Sequence, residues 1–204
     1  MDIGDADALN QAVASLERSE PIIVPTDTVY GVAAIATDAA GVDALFELKA
    51  RPADRSIAVL VADADQMATL AEVGDAERRL MAAFWPGGLT IVVTRRPEIT
   101  GIGAEDGTVG VRCPDEEFVR ELAQRVGPLA TTSANLSGQP TPSDAAEASA
   151  SLTAPVAVVI DGGTRSGSAS TVARVVDVDG RPTVEVLRPG PISADELQQA
   201  ATAD

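Results

Sequence analysis

The sequence predicts an α+β fold in which helices pack on a mixed, twisted open sheet. Short apolar runs bounded by turn residues alternate irregularly with helical periodicity along all 204 residues. Two runs near the C-terminus are spaced as a hairpin, which a purely parallel sheet would lack. The length and the 45% hydrophobic content are typical of a globular chain with one core, so we expect one domain over residues 1–204.

The first two thirds of the chain mix both kinds of element. Leu9, Val13 and Leu16 share a helical face ahead of Pro21, which ends the helix. A second helix carries Val42 and Phe46, and Pro52 terminates it. Apolar runs predict strands at 22–24, 32–36, 57–61, 89–94, 108–112 and 129–131, and periodicity predicts further helices at 63–71, 75–84 and from Asp115 onward.

The last third repeats the mixture. Thr141 is placed to cap a helix that has Pro142 at its first position, and Ser193 with Glu196 forms a capping box that opens a final helix. Between them we expect a strand at 156–160 and a hairpin of 172–177 with 183–187.

Two absences restrict the chemistry. The chain has no His and one Cys, Cys113. A Ser-His-Asp triad, a His general base, a zinc site of imidazoles or several thiolates, and an intrachain disulfide are therefore excluded. No stretch approaches the ~18 apolar residues of a membrane helix, and the start is acidic, unlike a secretory signal. We expect a cytoplasmic protein.

Charge is strongly unbalanced. With 15 basic and 31 acidic residues the formal net charge is −16, which disfavours non-specific binding to nucleic acid. Of the basic residues 14 are Arg, and Lys49 is the single lysine. It lies in the run Lys-Ala-Arg-Pro-Ala-Asp-Arg at 49–55, where three cations in seven residues suit a phosphate or carboxylate. Cations that cap a helix C-terminus are the alternative.

Two polar segments follow predicted strands. The run Pro-Thr-Asp-Thr-Val-Tyr-Gly at 25–31 and the loop Thr-Thr-Ser-Ala-Asn-Leu-Ser-Gly at 131–138 offer hydroxyls, amides and backbone N–H groups that can hold a ligand or simply form turns. Arg112 and Arg188, at or beyond strand ends, are either surface charges or anion ligands. The glycine-containing runs at 85–90 and 162–171 are expected to shape the backbone.

These motifs, with a few others in the same order, form a known pattern. The matching pieces are the run at 25–31, Lys49-x-Arg51-Pro52, Pro86-Gly-x-Leu-Thr90, Val111-Arg112-x-Pro114, Thr132-Ser-Ala-Asn135 with Ser137-Gly138, Ser170-Thr-Val172 and Leu187-Arg-Pro-Gly190. Over essentially its whole length the chain resembles the L-threonylcarbamoyladenylate synthase family, the YrdC-like domain. The resemblance implies a three-layer YrdC-like fold with helices on both faces of the sheet.

The resemblance also implies residue roles. Lys49, Arg51, Ser133 and Asn135 match the signature tetrad of the family, and we expect them to be catalytic. The residues expected around ATP are Arg51, Arg55, Thr108, Ser133, Thr141 and Arg188, and those expected around threonine are Thr28, Tyr30, Arg112, Thr131 and Ser170.

Members of the family join L-threonine, bicarbonate or CO2, and ATP into threonylcarbamoyl-AMP and pyrophosphate. The resemblance implies Mg2+ held through the ATP phosphates, with no direct protein ligand. It also implies hand-over of the product to a tRNA threonylcarbamoyl transferase, with weak or indirect tRNA contact. Longer relatives continue into a second domain, so this chain resembles the short, single-domain type.

Two other functions stay open from the sequence. One is an RNA-binding or regulatory module on the same scaffold, which would need a basic face that a net charge of −16 makes hard to supply. The other is a paralogue that uses another substrate, such as the carbamoyl-adenylate-forming domain of hydrogenase maturation proteins. That domain normally belongs to a much longer chain.

Overall fold

A computed structural model of the protein describes residues 1–50, 57–136, 138–165 and 167–203. Those residues form eight strands and seven helices. The strands are β1 (Ile22–Pro25), β2 (Tyr30–Ile35), β3 (Ala58–Leu60), β4 (Leu89–Thr94), β5 (Thr108–Arg112), β6 (Leu129–Ser133), β7 (Thr171–Val178) and β8 (Arg181–Arg188). The helices are α1 (Ala8–Leu16), α2 (Ala39–Leu48), α3 (Ala64–Leu70), α4 (Asp75–Phe84), α5 (Glu117–Val126), α6 (Ala145–Ala150) and α7 (Ala194–Ala201).

The eight strands form one sheet in the order β1-β2-β6-β3-β5-β4-β7-β8. The pairs β3·β5 and β4·β7 are parallel, and the other five pairs are antiparallel. The sheet is therefore mixed, as the sequence predicts, and β7 and β8 form the expected hairpin.

Both faces of the sheet are covered, because neighbouring residues along a strand point to opposite sides. On β2, Val32 and Ala34 belong to one apolar cluster and Ala33 to another. The first cluster includes the buried residues of α2, α3, α4, α6 and α7, and the second those of α1 and α5. Helices thus pack on both sides of the sheet, and the predicted three-layer fold is confirmed.

Two sequence predictions in the last third are wrong. Helix α6 is capped by Asp144, whose Oδ1 accepts the Glu147 N–H at 2.8 Å, so Thr141 and Pro142 lie before the helix. Residues 156–160 do not form a strand of the sheet. Their backbone meets β1 at Ile23 alone, which donates to Val158 O at 3.0 Å and accepts from Ile160 N at 2.9 Å. One such contact is an isolated bridge, not a ladder.

The predicted capping box is confirmed, with Ser193 and Glu196 satisfying each other's backbone N–H groups at the start of α7. No helix among the described residues has the length and apolar character required to cross a membrane.

Candidate active site

A cavity of about 500 Å³ opens on one face of the sheet. Helices α1 and α5 pack on that face, but the strand residues in their apolar cluster come only from β1, β2, β3 and β6. The other half of the face, on β5, β4, β7 and β8, is left to the cavity. Cross-strand partners share a face, so the register brings Gly31, Thr131, Thr90, Val172 and Arg188 to the cavity side together.

The lining is rich in hydroxyl groups and poor in charge. Seven threonines and two serines line the cavity, and among the described residues its charged members are Arg112 and Arg188. The chain has a net charge of −16, whereas the two charged side chains that line the cavity in the described part of the chain are both positive. Such a site attracts anions and holds them by hydrogen bonds.

Arg112, the last residue of β5, is 6% exposed and is held from three directions. Its Nε donates to Gly87 O at 2.9 Å, Nη1 to Thr28 Oγ1 at 2.8 Å and Nη2 to Asp27 Oδ1 at 2.5 Å. A guanidinium carries five N–H groups, so among the described residues one on each Nη has no protein acceptor and can bind a ligand. That is the number a bidentate carboxylate requires.

The β1–β2 turn supplies two of those contacts, through Thr28 and Asp27, and hydrogen bonds within the turn fix their positions. Thr26 Oγ1 donates to Val29 O at 2.7 Å and accepts from the Thr28 N–H at 3.2 Å, which folds the turn onto itself. Thr26 and Thr28 hydroxyls lie 3.0 Å apart. The turn therefore presents the Thr28 hydroxyl and the Asp27 carboxylate to Arg112 in a fixed orientation.

Another part of the lining is built around Ser170, which is 4% exposed. Its hydroxyl lies 2.8 Å from Thr90 Oγ1, and Arg188 Nη2 donates to its backbone oxygen at 2.9 Å and to its hydroxyl at 3.1 Å. Partial burial of the guanidinium, followed by repulsion from Arg112, lowers the pKa of Arg188. Two arginines that line one cavity and repel each other favour the binding of an anion there, because the anion offsets their repulsion.

Lys49 lies at the C-terminal end of α2 and is 3% exposed. Its Nζ donates to Thr132 Oγ1 at 3.2 Å and to the backbone oxygen of Ser133, so it joins α2 to the end of β6. Lys49 thus contacts Ser133, another residue matched to the tetrad, but its side chain does not line the cavity.

Ser133 and Asn135 form the other described part of that tetrad. Ser133 lines the cavity, and its hydroxyl donates to Asn135 Oδ1 at 2.5 Å. Asn135 Nδ2 donates in turn to Gln139 O at 2.6 Å and to Leu136 O at 3.1 Å. Asn135 is 7% exposed and does not line the cavity, so it orients Ser133 and the loop that follows.

The remaining predicted residues divide into three groups. Thr108, Thr131 and Thr141 line the cavity, with Thr108 Oγ1 donating to Asp106 Oδ1 at 2.6 Å. Arg51 and Arg55 lie outside the described residues, and their predicted roles stay predictions. Tyr30 is fully buried and does not line the cavity. Its hydroxyl instead donates to Gly163 O at 2.7 Å.

Sequence reasoning assigned no individual role to four residues that build the site, although all four lie in motifs it identified. Thr26, Thr90 and Thr132 line the cavity, and Asp27 fixes Arg112. Thr26 and Asp27 stand inside the motif at 25–31, so that motif could have indicated them. No sequence signal links Asp27 to an arginine 85 positions away.

The chain matches the family model Sua5_yciO_yrdC, described as Telomere recombination, over residues 14–190. A Mycobacterium tuberculosis protein named "Putative threonylcarbamoyl-AMP synthase" is 38% identical over 195 residues, with 95% of this chain and 88% of that protein covered. Bacillus subtilis threonylcarbamoyl-AMP synthase is 35% identical over 193 residues, which cover 92% of this chain and 55% of that protein.

A solved structure shares the fold and 33% of the aligned residues. The crystal structure of Pyrococcus abyssi Sua5 complexed with L-threonine matches 94% of this chain with a TM-score of 0.83. The chain spans 56% of that structure's chain, and so corresponds to part of it. Since the family model covers most of the sequence and the relatives exceed 30% identity over more than nine tenths of it, the chain belongs to the Sua5/YciO/YrdC family.

Proposed function

We propose that this chain is a threonylcarbamoyl-AMP synthase, which joins L-threonine, bicarbonate or CO2, and ATP into threonylcarbamoyl-AMP and pyrophosphate. The observation that carries the proposal is the cavity, whose charged lining among the described residues is Arg112 and Arg188 in a strongly acidic chain. All three substrates bring anionic groups or form them. The names of the relatives support the same activity.

Arg112 is the group best placed for the carboxylate of threonine. Its guanidinium is fixed by Asp27, Thr28 and Gly87, and it retains one N–H on each Nη. The surrounding hydroxyls of Thr90, Thr131 and Ser170 can receive the polar side chain of the amino acid. A preorganised fork of this kind binds without further loss of side-chain entropy.

The reaction then proceeds in two steps. The amine of threonine forms an N–C bond to CO2 and loses a proton, or adds to bicarbonate with loss of water, to give a carbamate. A carbamate oxygen attacks the α-phosphorus of ATP, and the bond from that phosphorus to the bridging oxygen breaks to release pyrophosphate. The nucleophile is already an anion, so the step requires no histidine base. It does require cations and dipoles that hold several anions together.

The described residues supply that electrostatic environment in two places. Arg188 lines the cavity together with Arg112, and Ser133 presents a hydroxyl that Asn135 orients. Lys49 adds a positive charge directly behind the Ser133 backbone. We expect Arg51 and Arg55 to complete the phosphate contacts, as the sequence match predicts.

The side chains around the cavity can be compared with the ligands that Mg2+ requires. Among the residues that the structure describes, no group of three or more acidic, Cys or His side chains could hold a metal ion. Asp27 lies beside the cavity but is engaged with Arg112. This arrangement suits Mg2+ that arrives on the ATP phosphates, where it would neutralise charge on the departing pyrophosphate.

The product has a defined next use in the proposal. A mixed anhydride of a carbamate and AMP is an activated group, so an acyl-transfer enzyme must consume it. We propose that a tRNA threonylcarbamoyl transferase takes it over and delivers the threonylcarbamoyl group to an adenosine of tRNA.

Release of pyrophosphate from ATP tests the proposal. We expect release to depend on L-threonine, bicarbonate and Mg2+ together, at a salt concentration where circular dichroism shows a folded protein. Omission of threonine should abolish it. No release from folded protein with all components present would overturn the proposal, and a salt-dependent affinity for tRNA without ATP would then favour the RNA-binding alternative.

A further inference from the structure

We call residues 161–165 and 167–170 the strap; its first part contacts Tyr30 and its last residue lines the cavity. It begins beside Tyr30, whose ring packs in the apolar cluster on the face opposite the cavity. It ends at Ser170, on the cavity side. Between these points it passes the β1–β2 turn, which carries Asp27 and Thr28.

The strap's first anchor is the Tyr30 hydroxyl. This hydroxyl accepts the Gly162 N–H at 3.1 Å and donates to Gly163 O at 2.7 Å. Asp161 Oδ1 accepts the Gly163 N–H at 2.9 Å and tightens the same bend. Burial, together with the nearby Asp161 carboxylate, raises the pKa of Tyr30.

The second anchor is Arg165. Its Nη2 pairs with Glu116 Oε2 at 2.7 Å, with side chains 22% and 17% exposed, and its backbone N–H donates to Ser143 O at 2.7 Å. Glu116 stands at the start of α5, four residues after Arg112. The ion pair therefore links the strap to the segment that follows Arg112, one of the two arginines that line the cavity among the described residues.

The strap then packs closely on the turn. A Cβ on Gly167 would lie 2.9 Å from Thr28 O and 3.2 Å from Thr28 Cα, so the two backbones touch at this point. Three residues later Ser170 meets Thr90 and Arg188. A shift of the strap would displace Thr28, which bonds to Arg112, and Ser170, which bonds to Arg188.

We propose that Tyr30 and the Arg165–Glu116 ion pair are positioning residues that hold the strap, and through it Thr28 and Ser170, in place for the amino-acid substrate. None of the three lines the cavity. The inference rests on the proposed function and deepens it, because it gives the buried Tyr30 hydroxyl a role in threonine binding without contact to threonine. Ser133 and Thr108 lie on β6 and β5 and depend less on the strap.

Three variants test the inference by titration calorimetry with L-threonine in the absence of ATP. Tyr30→Phe removes one hydroxyl, and we expect a roughly 3- to 10-fold weaker threonine affinity from the loss of a buried hydrogen bond. Arg165→Glu should weaken binding further. The exchange of charges in Arg165→Glu with Glu116→Arg should restore most of that loss, which a purely local packing defect would not allow.

Steady-state kinetics and hydrogen exchange complete the test. The KM for threonine should rise in Tyr30→Phe by a larger factor than the KM for ATP, and amides of the strap should exchange faster. Arg18→Ala breaks the exposed Arg18–Glu20 pair outside the cavity and is the matched control. It should change neither the KM for threonine nor the exchange of the strap amides.

Unchanged threonine affinity in both Tyr30→Phe and Arg165→Glu would overturn the inference, as would equal losses for threonine and ATP. If the wild-type chain binds threonine but releases no pyrophosphate, the proposed function fails while the affinity changes still test the strap. If the wild-type chain binds threonine and releases pyrophosphate, and the variants bind threonine equally well, only the strap inference fails.

Discussion

Arg112 and Asp27 form an ion pair of 2.5 Å, although 85 positions separate them in the sequence. Their side chains are 7% and 19% exposed, so both charges have lost most of their water. Burial of such a pair costs solvation that the mutual attraction does not always offset. Its benefit here is orientation, because Asp27 fixes the plane of the guanidinium that faces the cavity.

Substitution of either partner tests this benefit. Arg112→Lys keeps the charge but loses the planar fork, and we expect the KM for threonine to rise by roughly 10-fold or more. Asp27→Asn keeps an acceptor oxygen but removes the opposing charge, so its effect should be smaller. Steady-state kinetics with varied threonine measure both. Wild-type KM in Arg112→Lys would show that the carboxylate binds elsewhere.

Lys49 provides a second prediction. Lys49→Met and Lys49→Ala remove the charge behind the Ser133 backbone, and we expect a loss of roughly 100-fold in kcat/KM for ATP, as for removal of one electrostatic contact in a transition state. Met fills a similar volume without the charge, although the acceptors at Thr132 and Ser133 lose the Lys49 donor. Thermal unfolding identifies which of the two variants stays folded at the assay temperature. Full activity in a folded Lys49→Met would exclude the predicted catalytic role.

Ser133 and Asn135 should act as one unit. Ser133→Ala removes the hydroxyl, and Asn135→Ala removes its acceptor together with the two bonds that shape the loop to Gln139. We expect each to raise the KM for ATP and the double variant to be little worse than the worse single one. Additive effects in this double-mutant cycle would mean that the two side chains contribute independently.

Cys113 gives a prediction about pH. It is 3% exposed, its Sγ donates to Ala62 O at 3.2 Å, and burial raises the pKa of the thiol from 9.0 to about 11. The unfolded chain releases this proton at a lower pH than the folded protein, so the contribution to stability is complete below pH 9 and is lost as pH rises toward 11. Urea unfolding of wild type and Cys113→Ser across that range measures it.

The two proteins should differ in how steeply stability falls. The wild-type free energy of unfolding should decline more between pH 9 and 11 than that of Cys113→Ser, which has no thiol to titrate. Parallel curves would show that the folded and unfolded thiols have the same pKa.

Much of the fold could be predicted from periodicity and turn residues. Helix α4 and strands β4 and β5 have the predicted bounds, because each combines a clear apolar pattern with a stop signal. The segment 156–160 was mistaken for a strand because an apolar run does not reveal how many of its residues pair with a neighbouring strand, and here the pairing is with Ile23 alone. Thr141 was mistaken for a cap because Asp144 competes with it three residues later. That residues 1–204 form one domain stays a prediction.

The site was predicted less completely. Eight residues expected from the family match line the cavity, namely Thr28, Thr108, Arg112, Thr131, Ser133, Thr141, Ser170 and Arg188. Motifs give residue types in order along the chain, but they do not show which side chains cross the sheet to pair. Asp27 with Arg112 and Glu116 with Arg165 are such long-range pairs. For Tyr30 the motif gave the position, and only the fold places its hydroxyl on the strap.

The most direct test of the central claim is mass spectrometry of the nucleotide product formed from isotopically labelled bicarbonate, L-threonine, ATP and Mg2+. The account predicts threonylcarbamoyl-AMP that carries the label, formed by the wild-type chain and strongly reduced in Arg112→Lys. Pyrophosphate released without labelled product, or equal product from Arg112→Lys, would contradict the claim that this cavity gathers threonine, the one-carbon acid and ATP around its two arginines.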